Sequence, residues 1–464
     1  MTKHTSKGEA VNKIPQSTKL SILITVCLFA LAFPRAFAST PDTIRVELVR
    51  HYRGVKQITI SASSCCTLTR TGAQDKLASC ASTDSISLEA SDSGIVLKQG
   101  SAGSTDAGPS VTITPDDPSG TINIDSQGRA SKAYHGSIEI NIKSCSLQLV
   151  NVIAIEDYLP GVLAGEMPSS YPIEALKAQA IAARTYTLDN LRKHSSSGCD
   201  LCDSSHCQVY EGALNEKQSC KQAVADTKGI TLTYNGKLAS TLYCADCGGA
   251  TQDYSELYSD TIPYLCTVKE PDDVAHDSWE VTYTLQDLAA KLAKAGIKGA
   301  DGLQKIVVSK TSASGRAVSI DITGAASTTA ITGGTLRSAL GQATIKSTLF
   351  TIECSPDGQV TFKGKGFGHG IGLCQVGSKG LASPPYNYTC EQILQHYYPG
   401  TVLTPTSPQT AAHAPIKPIK TPSATVAQKP TASPELKGAG PPRKPRSISQ
   451  PQPDIEIRVE APSL

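Results

Sequence analysis

Hydrophobic and polar residues alternate in short runs through much of this 464-residue chain. The segments "TIRVELVR" (43–50), "PSVTITP" (109–115) and "SIEINI" (137–142) place apolar side chains at every second position. A period of two is typical of a β-strand with one buried face. Glycine, serine, proline and aspartate separate the runs, as they do at turns. The pattern predicts a β-rich N-terminal half, and similar runs return after Ile230.

One long segment follows the helical period instead. In the stretch from 172 to 194, the residues that share one face are Ile173, Leu176, Ala180, Ala183 and Thr187. Proline in the first turn and basic residues in the last turn are typical of helix ends. We therefore predict a helix over 172–194, whose alanine-rich face packs closely against a neighbour. Shorter helical patterns occur at 284–296 and 390–401. These elements predict an α+β fold, a β-rich mixed domain with one long helix.

Both ends differ in composition from the folded region, which we expect to span residues 43–403. Lysines precede an apolar run, and Ala36-Phe37-Ala38 follows it as a small-residue cleavage site. This pattern predicts a secretory signal peptide at 1–38; the alternatives are a buried helix or a retained membrane anchor. Residues 404–464 are rich in proline, alanine and threonine without periodicity, which predicts a disordered tail.

Export agrees with the cysteine content. Of the 15 cysteines, only Cys27 lies within the predicted signal, and disulfides persist in oxidising compartments. No other stretch is apolar enough to span a membrane, so we expect an exported protein with no membrane span after signal cleavage. The net charge of +2 provides no broad basic surface, which argues against a nucleic-acid partner.

A glycine-rich stretch, "GKGFGHGIGLCQVGSKGLA" (364–382), is the first candidate for chemistry. Its spacings match neither the P-loop nor the dinucleotide-binding pattern. Glycine lets the backbone approach a ligand closely, and His369 and Gln375 can form hydrogen bonds with hydroxyl or acetamido groups. We interpret the stretch as the wall of a sugar-binding groove. The alternative is a tight structural turn in which His369 is hydrogen-bonded internally.

Three stretches together resemble a known family. They are "YLPGVLAGEMPSSYPIEALKAQAIAARTY" (158–186), the glycine-rich stretch and "HYYPGT" (396–401). In this order they resemble the SpoIID/LytB family of bacterial cell-wall proteins, over nearly the whole folded region. The resemblance implies a lytic transglycosylase that cuts peptidoglycan glycan strands freed of stem peptides by an N-acetylmuramoyl-L-alanine amidase. The alternative is a non-catalytic, glycan-binding enhancer of such an amidase. Either activity places the protein in the periplasm or cell-wall space of a bacterium.

The family's catalytic glutamate corresponds to Glu166, which we expect in a loop that enters the long helix. A helix N-terminus favours the ionised carboxylate, whereas a general acid needs a raised pKa; a solvated capping residue is therefore the alternative. Gln179, Arg184 and Tyr186 also match the family motif. We expect them either to bind substrate or to brace the helix against the β-layers.

Cysteines and histidines cluster after the predicted helix, in "HSSSGCDLCDSSHCQVY" (194–210). Closely spaced thiolates and imidazoles suit tetrahedral zinc, and the family resemblance implies a zinc site in this region. The preferred ligands of a structural zinc ion are His194, Cys202, His206 and Cys207, with Cys199 as the substitute. The alternative is disulfide bonding. Zinc is not expected to be required for the chemistry.

A second C-x-x-C pair occurs in "YCADCGG" (243–249). A thioredoxin-like site would need a βαβ setting, which this β-rich stretch lacks. The corresponding positions of the family usually carry serine or histidine, so the chain departs from the family here. We expect a disulfide, with a second metal site as the weaker alternative.

Overall fold

The computed structural model describes residues 39–40, 43–73, 75–100, 103–258 and 260–408. The predicted signal peptide and the predicted tail from residue 409 onward lie outside the described residues. Within those ranges the protein combines several sheets with eight α-helices, which confirms the α+β class. Among the described residues, no helix combines the length and apolarity needed to cross a membrane.

The N-terminal part contains a β-sandwich, and its first strand, Ser39–Thr40, pairs outside it. Its elements are β1 Ser39–Thr40, β2 Ile44–Glu47, α1 Val49–Tyr52, β3 Gln57–Ala62, β4 Cys66–Arg70, β5 Lys76–Cys80, β6 Ile86–Ala90, β7 Ile95–Gln99, β8 Ser104–Asp106, β9 Ser110–Pro115, β10 Ile122–Asp125, β11 Lys132–Tyr134, β12 Ser137–Lys143, β13 Ser146–Ile153 and, later in the chain, β14 Leu201–Cys202. One sheet has the order β11-β10-β3-β6-β7-β8 and the other β14-β2-β13-β12-β9-β4-β5. Alternate residues of both sheets, such as Ile60 and Ile113, are fully buried in one shared core, as the period-two pattern requires.

Three helices cover this sandwich: α2 Ile155–Glu166, α3 Ile173–Asp189 and α4 Gln218–Asp226. Helix α3 is the predicted long helix, but it ends five residues earlier than residue 194. Arg192, just beyond it, has a positive φ of 68°, a conformation that a helix cannot continue through. Helix α2 was not predicted, because its apolar residues lack a polar face: Tyr158 to Leu163 are all buried.

Helix α3 lies between two hydrophobic cores. Ala180 and Ala183 belong to the core of the sandwich, whereas Ala178 and Ala182 belong to a second core formed by C-terminal elements. All four alanines are fully buried. A helix that is apolar around its circumference is a buried one, and the small alanine side chains let both layers approach it. The predicted close packing of this helix is confirmed.

The C-terminal part consists of small sheets and short helices. Its elements are β15 Ile230–Tyr234, β16 Lys237–Leu238, β17 Tyr243–Cys244, β18 Ser278–Thr284, α5 Leu285–Lys294, β19 Lys305–Thr311, β20 Ala317–Thr323, β21 Thr328–Ile331, α6 Gly333–Leu340, β22 Phe350–Cys354, β23 Gln359–Lys365, β24 Leu373–Cys374, α7 Gln375–Ala382, α8 Cys390–Tyr397, β25 Val402–Pro405 and β26 Ser407–Pro408. Strand β25 pairs with β15, so regular pairing continues past residue 403, where we expected the folded region to end. Strands β17 and β24 pair in parallel and bring distant parts of the chain to the candidate site.

Candidate functional site

Glu166 is the last residue of helix α2. The expectation that it lies in a loop entering the long helix was wrong, because the unpredicted helix α2 extends to this residue. Its carboxylate accepts a hydrogen bond from the backbone amide of Val209, with 2.7 Å between nitrogen and Oε1. The residue as a whole is only partly buried, whereas its carboxyl group is shielded from water.

Two further side chains contact the same carboxylate. The hydroxyl of Tyr243 donates to Oε1 and the amide of Gln375 donates to Oε2, each over 3.4 Å. Tyr243 belongs to β17, and Gln375 begins α7 directly after β24. The parallel pairing of these strands, with Tyr243 opposite Leu373, explains why residues 132 positions apart in sequence meet at Glu166.

The surroundings of Glu166 favour its protonated form. Burial of the carboxyl group raises its pKa above the ordinary value of 4.5, although the hydrogen bonds from Val209, Gln375 and Tyr243 partly oppose this. A position at the C-terminal end of a helix also disfavours negative charge. The sequence argument for an ionised carboxylate at a helix N-terminus therefore does not apply, and the raised pKa suits a general acid.

The carboxylate of Glu211, which lies near Glu166, has a lowered pKa instead. Glu211 forms ion pairs with Arg50 and Lys132. Burial alone would raise its pKa, but the hydrogen bond from Lys132 and the nearby positive charges lower it. A carboxylate held between two cations stays ionised and does not exchange protons readily. Glu166 is thus the carboxyl group at this site that is suited to donate a proton.

Two residues predicted to bind substrate are completely enclosed. Arg184 is 1% exposed and forms two hydrogen bonds of 2.8 Å with the carboxylate of Glu156. Gln179 is 0% exposed, and neither polar atom of its amide has a hydrogen-bond partner. Neither residue has surface that a polysaccharide could contact. Their positions fit the alternative role, which is to brace the helix against the β-layers. Tyr186 is buried, and its ring centroid lies 6.3 Å from that of Tyr243.

The glycine-rich stretch packs against the protein itself. A Cβ atom on Gly370 would lie 2.3 Å from the guanidinium of Arg316, and one on Gly372 would lie 1.9 Å from the carbonyl oxygen of Leu242. Both glycines also have positive φ, which other residues rarely adopt. The close approaches that require these two glycines are therefore internal ones.

His369, directly before Gly370, is hydrogen-bonded internally. Its Nδ1 accepts from the backbone amide of Ile371 over 3.0 Å. Burial, together with the positive charges of Arg337 and Arg316, lowers the pKa of His369 to about 4. The imidazole is therefore neutral at physiological pH. Of the residues predicted to bind substrate, Gln375 is the one that contacts Glu166 directly.

The four preferred zinc ligands converge. His194, Cys202, His206 and Cys207 each place one ligand atom within 4.8 Å of the others. His194 Nε2 lies 3.2 Å from Cys207 Sγ, and His206 Nδ1 lies 3.7 Å from Cys202 Sγ. A hydrogen bond from Cys207 lowers the pKa of Cys202 and raises that of Cys207, so the two thiols share one proton. Two thiolates and two imidazoles fit a closed tetrahedral zinc site.

The early end of helix α3 makes this convergence possible. The chain leaves the helix at Asn190 and turns back through residue 192, so His194 lies beside Cys207 rather than along the helix axis. Cys199 is not a member of the cluster; its thiol instead donates to the carbonyl of Ser197. The pair expected to form a disulfide, Cys244 and Cys247, consists of two buried free thiols.

Two contacts of Glu166 were missed by sequence reasoning. The amide of Val209 belongs to the backbone, which carries no residue-type signal. Tyr243 adjoins the C-x-x-C pair, but nothing in the sequence places it near residue 166. The contact of Tyr243 with Glu166 depends on the pairing of β17 with β24, which the sequence does not show.

Comparisons with known proteins match two family models and several relatives. The family model described as Stage II sporulation protein matches residues 143–234, and a model described as a domain of unknown function matches residues 268–372. An uncharacterized protein of Brachyspira hyodysenteriae is 34% identical over 269 residues, 58% of this chain and 71% of that protein. The Stage II sporulation protein D of Bacillus subtilis is 29% identical over 282 residues, 58% of this chain and 79% of that protein.

The Amidase enhancer of Bacillus subtilis is 31% identical over 293 residues, which is 53% of this chain and 40% of that protein. The chain thus spans less than half the length of that relative. With the ordered motifs and the Stage II sporulation match, these relatives show that the chain belongs to the SpoIID/LytB family. It is therefore a protein of cell-wall remodelling, and its family is linked to peptidoglycan processing.

Proposed function

We propose that this protein is a lytic transglycosylase that cleaves peptide-free glycan strands of peptidoglycan, with Glu166 as its catalytic acid and base. The observation that carries the proposal is the carboxyl group of Glu166, which is desolvated and raised in pKa, on a residue that as a whole is only partly buried. The contacts from Tyr243 and Gln375 hold it in place. We propose that an exported form acts on the wall in the periplasm or cell-wall space.

The chemistry needs one carboxyl group. Glu166 donates its proton to the glycosidic oxygen while the bond from that oxygen to the anomeric carbon breaks. The C6 hydroxyl of the same sugar attacks the anomeric carbon, and its proton passes to the Glu166 carboxylate. The products are a new 4-hydroxyl end and a 1,6-anhydro end, and the enzyme regains its proton. A hydrolase of the usual kind would need a second carboxylate to activate water, whereas Glu211 is engaged by two cations.

The test is Glu166→Gln, which keeps the shape of the side chain and removes its transferable proton. We expect the formation of 1,6-anhydro ends on amidase-treated peptidoglycan to fall by about 100-fold or more, as for loss of a general acid. Mass spectrometry of the digests gives the readout, and a glycan pull-down checks that binding survives. Glu353→Gln, on an exposed residue of β22, is the matched control and should cleave like the wild type. Intact glycan after incubation with the wild type would rule the proposal out.

The second candidate function is activation of an amidase without cleavage. It is favoured by the similarity to a relative named Amidase enhancer. Under this alternative, the protein binds the glycan and raises the rate at which an N-acetylmuramoyl-L-alanine amidase removes stem peptides. An amidase assay with and without this protein separates the two, because activation should then be the same with Glu166→Gln as with the wild type.

A further inference from the structure

A second group of metal-binding side-chain types lies beneath the glycine-rich stretch. Asp246, Cys247, His276 and Cys374 each place one possible ligand atom within 4.8 Å of the others. They come from three separate segments: the turn after β17, the loop before β18 and the end of β24. Asp246, Cys247 and Cys374 are at most 3% exposed, and the side chain of His276 is 8% exposed.

The backbone around Cys374 is arranged to stabilise a thiolate. The amides of Cys247 and Gly377 both donate to Cys374 Sγ, over 3.1 and 3.2 Å. The thiolate is the form of cysteine that binds metals. The second sulfur, that of Cys247, lies 3.0 Å from a carboxylate oxygen of Glu270. Two sulfur atoms, an imidazole and carboxylates thus surround one small buried volume.

Two buried atoms of Arg316, Nε and Nη1, have no hydrogen-bond partner. Such atoms are nearly always paired in folded proteins, so this buried guanidinium requires a reason. His276 lies between two carboxylates, with Nε2 3.0 Å from Glu270 Oε2 and Nδ1 2.6 Å from Asp246 Oδ1. An imidazole nitrogen and carboxylate oxygens beside two thiols are the donor atoms of a metal site.

The buried guanidinium of Arg316 gives an independent argument from charge. The side chain is fully buried, and its hydrogen-bond acceptors are the carbonyl groups of Cys247 and Ala250. A buried cation is costly unless negative charge lies nearby. A divalent metal bound by two thiolates, one carboxylate and one neutral imidazole carries a net charge of about −1, from the charges of those ligand types. Such a centre next to Arg316 would keep the net negative charge there that the carboxylates of Asp246 and Glu270 already contribute.

We propose that Asp246, Cys247, His276 and Cys374 bind a second metal ion, a divalent ion of the zinc type. Two sulfur, one nitrogen and one oxygen ligand favour tetrahedral zinc over magnesium or calcium, which prefer oxygen alone. Four protein ligands close the coordination sphere, so the ion is structural. Tyr397 donates to Glu270 over 2.8 Å and holds that carboxylate beside the site. The proposal does not depend on the proposed function.

The position of this metal site links it to Glu166. Cys374 is followed directly by Gln375, and Tyr243 directly precedes Cys244, which lies opposite Cys374 in the paired strands. A metal ion bound at Cys374 and Cys247 would fix β24 to the turn after β17. Those two strands present the side chains that donate to Glu166, so the ion would act at the catalytic carboxyl group only through them.

A disulfide is the competing arrangement. Neighbouring strands place opposite Cα atoms about 4.8 Å apart, within the range that a disulfide bridges, and Cys244 faces Cys374 in this way. Oxidation of two thiols would remove a ligand from the metal site. The test must therefore measure metal content and thiol state together.

The experiment is elemental analysis of purified full-length protein and of Cys374→Ser. We expect Cys374→Ser to contain about one equivalent of zinc less than the wild type, as for loss of one four-ligand site. Cys354→Ser, at an exposed cysteine of β22, should keep the wild-type content. Cys207→Ser should also lose about one equivalent, and the double variant Cys207→Ser/Cys374→Ser about two, because the sites are separate.

Thiol labelling of the wild type keeps the proposal testable if Cys374→Ser does not fold. Cys247 and Cys374 should resist alkylation in the native protein and become labelled when a chelator removes the metal. Equal labelling with and without chelator would overturn the proposal. So would an unchanged zinc content in folded Cys374→Ser, or a mapped disulfide that joins Cys374 to Cys244 or Cys247.

Discussion

The chemistry of Glu166 depends on a balance between burial and hydrogen bonding at single residues. Burial raises the pKa of this carboxyl group, while Val209, Gln375 and Tyr243 donate to it and lower the pKa again. The Val209 contact is the shortest, at 2.7 Å. The contacts from Tyr243 and Gln375 are longer. Because both donors are side chains, a substitution can remove either contact. This balance makes the acid strength of Glu166 tunable.

The pH dependence of cleavage should follow that balance. A general acid works while it is protonated, so kcat/KM should fall as the pH rises through the raised pKa of Glu166. Tyr243→Phe and Gln375→Leu each remove a donor that stabilises the carboxylate. Each should move this alkaline limb to higher pH, by roughly half a unit to one unit for a hydrogen bond of about 1 kcal/mol. A limb that stays in place in both variants would contradict the role of Glu166 as the acid.

Arg184 should matter for stability rather than for substrate binding. Arg184→Met removes a buried cation from Glu156, which is itself 28% exposed. We expect the free energy of unfolding to fall by about 2 to 4 kcal/mol, somewhat less than for a wholly buried pair. Lys177→Met on the same helix is the control. Its ion pairs lie near the surface, with the lysine side chain 21% exposed, so we expect a change within about 1 kcal/mol.

Denaturant unfolding and glycan binding should be measured for both variants. Loss of glycan affinity in a folded Arg184→Met protein of normal stability would show that the residue reaches substrate after all.

At the level of secondary-structure elements, the end of helix α3 decides where the first metal cluster forms. Beyond Asp189 the chain turns back, and His194 meets Cys202, His206 and Cys207. This cluster joins the helix to strand β14, which pairs with β2 of the sandwich. A metal ion bound there would tie the central helix to the N-terminal sheet.

Removal of a ligand from this cluster should therefore reduce stability. We expect Cys207→Ser to lose about one equivalent of zinc and to unfold at a lower temperature, since a structural zinc ion contributes free energy to folding. Cys199→Ser is the matched control, because its thiol donates to a carbonyl outside the cluster; it should retain the zinc. A wild-type protein without zinc, with a mapped disulfide at Cys202 or Cys207, would disprove the site.

At the scale of the whole molecule, the last strands define how much of the C-terminus can be removed without loss of folded structure. Strand β25 pairs with β15 through four residue pairs, from Ile230 with Pro405 to Thr233 with Val402. The hydroxyl of Thr231 also donates to the carbonyl of Thr404 over 3.0 Å. The folded region therefore includes residues that composition alone assigned to the tail.

Two truncations test this boundary. Removal of 409–464, the segment that its composition predicts to be a tail, should leave the melting temperature and the cleavage rate on soluble glycan unchanged. Removal of 402–464 should lower the melting temperature, because β15 loses one of its two partner strands. Equal melting temperatures for the two proteins would show that β25 contributes nothing to the fold.

The local pattern of apolar and polar residues was sufficient to predict much of the fold. The alternation of apolar residues identified the strands of the sandwich, because a sheet with one buried face imposes a period of two on its own sequence. The alanine-rich face identified helix α3 for a similar reason. Helix α2 was not predicted because it is buried on most sides. A buried helix has no polar face, so its sequence does not show the helical period of apolar residues.

The sequence by itself determined the family motifs, the α+β class and the four residues of the first metal cluster, since these depend on residue types at short spacings. The tertiary structure alone decided which polar groups meet. Tyr243 and Gln375 reach Glu166, and Cys374 reaches Cys247, through the pairing of two strands that are 128 residues apart at their ends. Pairing of short strands over such distances is set by the packing of the whole core. No local pattern encodes this pairing, and the acidity of Glu166 depends on the contacts that the pairing creates.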